Sequence, residues 1–197
     1  MKSVSLIFAL ALVSLAFTTP NADVVTYKAD VSASVISWKA YKVTGEHAGT
    51  VPLKSGSVEY TDGKLSGGSF EIDMANLTVT DLEGEWKTKL EGHLKSADFF
   101  GVEKHPTAKF VITQVVSRGT PGDYKIVGDL TIKEKTNEIR FLAKVSEDGD
   151  KITATGETTI DRSKYDVRYG SGSFFDNLGD KTIYDEFDLT INLVAKK

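Results

Sequence analysis

The chain has 197 residues, no cysteine and a formal net charge of −4 at neutral pH. The lack of cysteine excludes disulfides, thiolate metal sites, cysteine nucleophiles and a lipidated cysteine anchor. The acidic balance, without a basic stripe, argues against nucleic acid as a partner. The length suffices for one domain with a substantial core, which we expect rather than two small domains.

The N terminus has the composition of a secretory signal peptide. Lys2 is its only charge, and the apolar run that follows is too short to span a bilayer comfortably. Small residues then offer cleavage after Ala16 or after Ala22. We therefore predict a signal peptide within residues 1–22 and a soluble, periplasmic or secreted domain over residues 23–197. The alternative is a buried first strand or a short anchor.

After this N-terminal run, apolar and polar residues alternate as they do in strands that bury one face. A short strand is predicted over residues 24–30 and a longer one over residues 35–43, with Trp38 pointing inward. Two glycines surround His47 in the segment Gly45–Gly49, and they are predicted to interrupt the second strand.

The Asp62-Gly63 pair is a strong hairpin signal. It joins strands that are predicted over residues 57–60 and 65–74, which makes this the clearest hairpin in the sequence. The side chains predicted to share one face of the second strand are Phe70, Ile72 and Met74.

One stretch departs from the alternation. Trp86, Leu90 and Leu94 are spaced as on one face of a helix, and the adjacent rings of Phe99 and Phe100 follow. Two bulky rings on a short connecting segment must find apolar cover. We therefore predict a short helical cover over the open end or flank of a sheet. The alternative is a plain surface helix that leaves one ring in water.

Five further strands are predicted after the cover. They span residues 108–117, which include Phe110, and residues 124–133, 139–145, 152–160 and 183–193. The segment 161–181 separates the last two strands. It carries three glycines and is long enough to be either functional or loosely ordered.

About eight antiparallel strands joined by tight turns are typical of a closed up-and-down barrel or a two-sheet sandwich. Every second residue is apolar along each long strand, so the sheet has one apolar face. Rolling the sheet into a barrel covers this face and removes the sheet edges. We therefore predict an all-β, eight-stranded antiparallel barrel. Its interior has room for side chains or for one small ligand.

Several motifs together resemble the YceI-like family of exported, lipocalin-like proteins. The motifs occur in the same order as in the family, and together they span nearly the whole mature chain. Its most specific part is the central run, in which His93, Phe99, Phe100, Pro106 and Phe110 all fit the family pattern. The other motifs are Gly45-x-His47-x-Gly49, Gly67-Gly68-x-Phe70-x-Ile72-x-Met74, Gly128-Asp129-Leu130-Thr131-Ile132-Lys133 and Ile160-Asp161-Arg162-x-x-Tyr165.

The resemblance implies a lipocalin-like barrel that holds a polyisoprenoid, such as a quinone or an isoprenyl phosphate, in an interior tunnel. It implies a carrier and not an enzyme, with no cofactor beyond the bound lipid, and it makes a homodimer plausible. The segment Tyr169–Ser173 departs from the family pattern, so the mouth and the choice of ligand are open. A structural or stress-related interaction module without bound lipid is the alternative function.

A polyprenyl tail needs a long apolar groove. Ten residues are the expected ligand contacts. His47, Arg162 and Tyr165 are expected to face the mouth or to brace the loop beside it. Without the resemblance, the apolar residues would equally well fill a solid core. The expected apolar lining consists of Trp38, Phe70, Ile72, Met74, Phe99, Phe100 and Phe110.

The two polar candidates each have a second interpretation. His47 could donate to a quinone carbonyl or a phosphate, or it could only fix a turn by bonding a backbone carbonyl. Arg162 could clamp a phosphate, although a pair with Asp161 that anchors the following loop is favoured.

Metal binding and catalysis have weaker support in the sequence. The three histidines show no spacing that is typical of metal ligands. Paired carboxylates at a barrel mouth could cleave a glycoside, and Ser163 or Ser171 with His47 could form a nucleophile and base. Neither arrangement comes with a recognisable motif.

Overall fold

The computed structural model describes residues 23–197, so the predicted signal peptide lies outside the described residues. Eleven strand segments and one α-helix form the fold. The strands are β1 (Val24–Ala29), β2 (Val35–Lys42), β3 (Gly45–Val51), β4 (Leu53–Thr61), β5 (Lys64–Asp73), β6 (Thr78–Val79), β7 (Thr107–Ser117), β8 (Asp123–Ile132), β9 (Lys135–Asp148), β10 (Lys151–Asp161) and β11 (Ile183–Lys196).

The sheet closes into a barrel because β1 pairs with β11, where Lys28 lies opposite Lys196. The eleven segments occupy eight positions around the barrel. β1 and β2 follow each other along β11, β3 and β4 are separated by Pro52, and β6 continues β5 beyond the 3-10 turn Met74–Asn76. The predicted eight-stranded antiparallel barrel is therefore confirmed.

Tight hairpins join most neighbouring strands, and the predicted Asp62-Gly63 hairpin is one of them. Both residues have positive φ, 51° and 72°, as a two-residue hairpin turn requires. Two strands are much longer than predicted. Residues 57–60 belong to β4 and residues 139–145 belong to β9, because backbone pairing continues past the residues whose alternation is clearest.

The predicted interruption at Gly45–Gly49 is wrong. These residues form most of β3 and pair with β2, and the turn lies immediately before them. Gly49 lets β3 lie close to Trp38 and Thr78, and it does not form a turn. A Cβ there would lie 2.0 Å from the carbonyl oxygen of Thr78 and 2.5 Å from the ring of Trp38.

The predicted helix is confirmed as α1 (Gly84–Lys95). The turn that follows α1 buries Phe99 and packs Phe100 against the core, together with Leu90 and Leu94 of the helix. Neither ring is left in water, as a plain surface helix would require. The helical segment therefore covers one end of the barrel.

Trp86 shares the helical spacing of Leu90 and Leu94, but its side chain is 72% exposed. α1 is attached through its C-terminal half, where Glu91 accepts hydrogen bonds from the Thr78 hydroxyl at 2.6 Å and the Val79 N–H at 2.9 Å. Its N-terminal half carries mostly exposed residues, and Trp86 lies there beside Lys89. Across residues 23–197, no helix is both long and apolar enough to cross a membrane.

The segment 161–181 is packed tightly where it leaves and rejoins the barrel. A 3-10 turn, Arg162–Tyr165, begins it, and the Ile183 N–H donates to the Gly170 carbonyl oxygen at 2.8 Å near its end. Five residues that we call the loop base are each at most 4% exposed. They are Ile160, Arg162, Tyr165, Val167 and Ser171.

The two ends of the barrel differ. At the helix end lie α1, the aromatic turn after it and the segment 161–181. At the hairpin end lie the tight turns around Gly63, Gly122 and Gly149. We use these two names for the ends below.

Candidate functional site

The barrel encloses a cavity of about 210 Å³, which we call the bore. Its lining extends from Val145 and Ile152 near the hairpin end to Phe99 and Arg162 at the helix end. Arg162 is the one charged residue among the described residues that line it. The expected apolar contacts that lie in the lining are Trp38, Phe70, Ile72, Met74, Phe99, Phe100 and Phe110.

Side chains in the middle of the bore are not close-packed. Phe70, Phe110, Phe141 and Phe187 line the cavity, yet each is only partly buried. In a solid core these rings would be in contact on all sides, because protein interiors are packed as densely as organic crystals. The middle of the barrel is therefore hollow.

Glycines in neighbouring strands let the aromatic rings lie against the barrel wall. A Cβ at Gly128 would lie 2.5 Å from the ring of Phe110, and one at Gly56 would lie 2.4 Å from the ring of Phe70. Each ring occupies the space of a missing side chain. This arrangement keeps the rings out of the centre of the bore.

Two tyrosines close the hairpin end. Tyr27 and Tyr60 are buried with their ring centres 5.5 Å apart, and the Tyr27 hydroxyl donates to Glu147 at 3.0 Å. Burial raises the pKa of Tyr60 to about 12, as expected for a phenol shielded from water. A ligand would therefore have to enter elsewhere.

At the helix end, the residues that line the cavity lie close to the surface. Tyr184 lines the cavity and is 51% exposed. Tyr169 packs with its ring centre 5.6 Å from that of Phe99 and 4.4 Å from that of His93, so it joins the loop to the cover. An opening at this end would lie between the loop and the start of β11.

Arg162 is held in place by backbone carbonyls. Its guanidinium donates to the carbonyl oxygens of Val167 at 2.8 Å, Ile183 at 2.9 Å and Tyr184 at 3.1 Å. These bonds tie the start of the loop to the start of β11. Burial lowers the pKa of Arg162, and nearby carboxylates partly oppose this shift.

The expected pairing of Arg162 with Asp161 is wrong. The Asp161 carboxylate accepts hydrogen bonds from the N–H and hydroxyl of Ser163, while the carboxylate closest to Arg162 is that of Asp185, at 3.4 Å. No local signal in the sequence marks Asp185, because it lies far along the chain on β11. Only the closing of the barrel brings the two together.

His47 does not line the cavity and lies within β3, so the structure does not place it at the mouth. Its Nδ1 atom lies 2.8 Å from Asp81, which also accepts a hydrogen bond from the Ala48 N–H at 3.0 Å. Burial opposes ionisation of Asp81, but these two contacts outweigh it and hold the pKa of Asp81 below its ordinary value. His47 thus connects β3 to the segment after β6.

Tyr165 is buried in the loop base and does not line the cavity, so of its two expected positions the one beside the loop fits the structure. The 3-10 turn places its ring beneath the loop. Its hydroxyl has no hydrogen-bond partner among the described residues, and burial raises its pKa to about 12. Tyr165 supports the loop from below.

The two serines that could act as nucleophiles have other partners. Ser163 donates to Asp161, and the buried Ser171 accepts from the Ser173 N–H. No hydrogen bond described within residues 23–197 joins either serine to His47. In the same residues, no cluster of three His, Cys, Asp or Glu side chains could hold a metal ion.

The fold and the bore define the class of the protein as a lipocalin-like antiparallel barrel with an apolar interior cavity. The YceI-like domain model matches residues 27–195, and the chain belongs to this family. One relative is a UPF0312 protein of Staphylococcus aureus strain USA300. It is 34% identical over 124 residues, which are 58% of this chain and 69% of the relative.

Two solved structures share the fold. BcnA of Burkholderia cenocepacia matches with a TM-score of 0.69 and 24% identity, over 85% of this chain and 99% of that chain. A polyisoprenoid binding domain from Saccharophagus degradans matches with a TM-score of 0.61 and 14% identity, over 86% of this chain and 97% of that chain. At these identities the likeness shows a common architecture.

Proposed function

We propose that this protein binds one long apolar lipid, a polyisoprenoid, inside the barrel and catalyses no reaction on it. The observation that carries the proposal is the hollow bore, whose lining is apolar almost throughout and extends from Ile152 to Phe99. A cavity of this kind offers dispersion contacts and few hydrogen bonds, as a prenyl tail requires. The related polyisoprenoid binding domain adds support, because it has the same fold.

The size of the bore sets a condition on this function. Its volume, about 210 Å³, lies below the roughly 300–1,000 Å³ of common ligand pockets. A long prenyl chain therefore requires the bore to widen. The rings of Phe70, Phe110 and Phe141 are only partly buried, so they have room to change rotamer while the strands stay paired.

We infer that the lipid enters at the helix end. Tyr27 and Tyr60 seal the hairpin end, whereas α1 contributes no fully buried residue to the cover. Displacing the cover exposes Phe99 and Phe100 but breaks no strand pairing. Displacing the tyrosines would open the barrel where β1 joins β11.

The test begins with any lipid that copurifies with the protein. Protein purified from its native host is extracted with organic solvent, and the extract is analysed by mass spectrometry. Delipidated protein should lose thermal stability and regain it when a polyisoprenoid is added. At a ligand concentration one hundred times the dissociation constant, the gain should be about 2.7 kcal/mol.

A matched pair of variants locates the ligand. Phe110→Asp places a charge in the bore, whereas Leu142→Asp places the same charge on the outer face of the barrel, where Leu142 is exposed. The lipid-dependent gain should vanish in the first variant and persist in the second. Absence of extractable lipid together with no saturable gain would favour an interaction module without bound lipid.

We also propose that residues 1–22 direct export to the periplasm or the medium and are removed. The support is the composition of that segment. Cell fractionation followed by N-terminal sequencing should give a mature chain that begins after Ala16 or Ala22. An intact N terminus in the cytoplasmic fraction would contradict this.

A further inference from the structure

The polar groups along the bore are few, and they restrict the head group of any lipid that binds there. Among the described lining residues, Arg162 carries the one full charge. Thr158 carries a hydroxyl on the inward-facing side of β10, whereas Thr155, Tyr184 and Asn192 are exposed. An anionic head group would need Arg162 as its partner, because a buried charge must be paired.

Most of the Arg162 donors are already in use. A guanidinium has five N–H groups, and bidentate binding of a phosphate uses two that point the same way. Val167, Ile183 and Tyr184 accept from Nη1, Nη2 and Nε respectively. Each of the three nitrogens therefore has a carbonyl partner, which leaves one N–H on Nη1 and one on Nη2 of the five.

The charge of Arg162 is also offset. Asp185 Oδ1 lies 3.4 Å from Arg162 Nη2 and is buried without a hydrogen bond, while the other oxygen of Asp185 accepts from the Ser173 hydroxyl. The Asp161 carboxylate also lies near the guanidinium. A phosphate beside Arg162 would thus meet a site that is already neutral or slightly negative.

One donor that suits an uncharged oxygen is unused. The indole N–H of Trp38 is buried and has no hydrogen-bond partner among the described residues, and Trp38 lines the bore. An indole N–H can only donate, and a carbonyl or hydroxyl oxygen satisfies it without bringing a charge into the cavity.

We infer that the bore selects a prenyl compound with an uncharged, oxygen-bearing head group, such as a quinone or an alcohol, over a prenyl phosphate. This rests on the proposed lipid-binding function. Asp185 is the residue that excludes the anion, because it neutralises Arg162. Trp38 offers the head group a hydrogen bond.

The test uses three probes with the same tail: geranylgeraniol, geranylgeranyl phosphate and a naphthoquinone that carries a geranylgeranyl chain. Their dissociation constants are measured on the delipidated full-length mature protein. The alcohol and the quinone should bind at least about ten-fold more tightly than the phosphate. A phosphate that binds as tightly as the alcohol overturns the head-group inference alone. If none of the three binds, the lipid-binding function fails and the inference fails with it.

The role of Asp185 is tested with Asp185→Asn, which keeps the size of the side chain but leaves the Arg162 charge without its closest counter-ion. Affinity for the phosphate should rise about ten-fold, while affinity for geranylgeraniol stays the same. Asp176→Asn removes a carboxylate from an exposed position of the segment 161–181 and should change neither value. If the phosphate gains equally in both variants, or in neither, Asp185 does not set the preference. Should Asp185→Asn fail to fold, the probe series on the unchanged protein still decides the inference.

Discussion

The bore and the loop base show opposite packing. At the loop base, Ile160, Tyr165 and Val167 are buried beneath a glycine-bearing loop, where irregular backbone is usually loosely covered. In the bore, Phe70 and Phe110 point to the inside of a closed barrel but keep part of their surface uncovered. The loop base is therefore better packed than the aromatic rings in the middle of the bore.

This difference separates stability from function. Close packing at the loop base holds the end of the barrel in one shape, because each buried group has lost its contact with water and gained neighbours. The open packing of the bore leaves the corresponding contacts to be made by a ligand. Substitutions in the two regions should consequently have different effects on stability and on binding.

The largest loss of stability is expected from Arg162→Met. The change leaves three carbonyl oxygens and the Asp185 carboxylate without their partner, and loss of one member of a buried pair costs about 3–5 kcal/mol. Urea unfolding measures this loss in the free energy of unfolding. Arg168→Met is the control, because Arg168 forms an exposed pair with Asp166 in the same loop and should cost less than about 1 kcal/mol. Equal losses would show that the loop base is not held by Arg162.

The same substitution made in both regions tests the comparison directly. Ile160→Ala removes buried contacts from the loop base and should cost about 2–5 kcal/mol. Ile139 lines the bore and is only partly buried, so Ile139→Ala should cost less than about 1.5 kcal/mol. Free energies of unfolding from urea titrations give both values. Similar losses at the two sites would mean that the bore is as well packed as the loop base.

Filling the wall of the bore should have an intermediate effect. Gly128→Ala introduces a Cβ that would lie 2.5 Å from the Phe110 ring and 2.6 Å from the Val111 carbonyl oxygen. Pushing the ring into the bore should cost about 1–3 kcal/mol and weaken lipid binding. Gly92→Ala, in α1 with open space around it, should instead gain about 0.5–1 kcal/mol. A Gly128→Ala protein of unchanged stability and affinity would contradict the proposed role of the glycine.

The smallest effect is expected from Tyr165→Phe. Its hydroxyl is buried without a partner, so its removal should stabilise the protein by up to about 1 kcal/mol at neutral pH. Burial raises the pKa of Tyr165 to about 12, so between about pH 10, the ordinary tyrosine pKa, and about pH 12 the tyrosine ionises more readily in the unfolded chain, and the unchanged protein loses stability as the pH rises. The variant should therefore lose less stability in that alkaline window. A less stable variant at neutral pH would indicate a hidden partner for the hydroxyl.

Alternation in the sequence predicts the barrel and much of the bore. Phe70, Ile72 and Phe110 lie where the parity of their strands places them, since a strand in a closed barrel has one inner face. The hollow itself is not predictable, because the same side chains could meet in the centre. It depends on glycines such as Gly128, whose effect on a ring in the next strand appears only once the register is known.

Three features could not be predicted from the sequence, each for a different physical reason. The glycines around His47 favour a turn by local preference, but Gly49 serves a close contact between strands. Trp86 fits the helical spacing, but α1 touches the barrel only with its other half. Asp185, the partner of Arg162, is set by the closing of the barrel and by no local pattern.

The central claim is that a lipid occupies the bore, and tryptophan fluorescence tests it most directly. The chain has two tryptophans, Trp38 in the bore and the exposed Trp86 on α1. In Trp86→Phe, a prenyl quinone should quench the remaining Trp38 emission to saturation at about one quinone per protein. In Trp38→Phe, the emission of Trp86 should fall by a smaller fraction. Quenching that rises linearly without saturation, or that is equal in the two variants, would contradict a ligand inside the barrel.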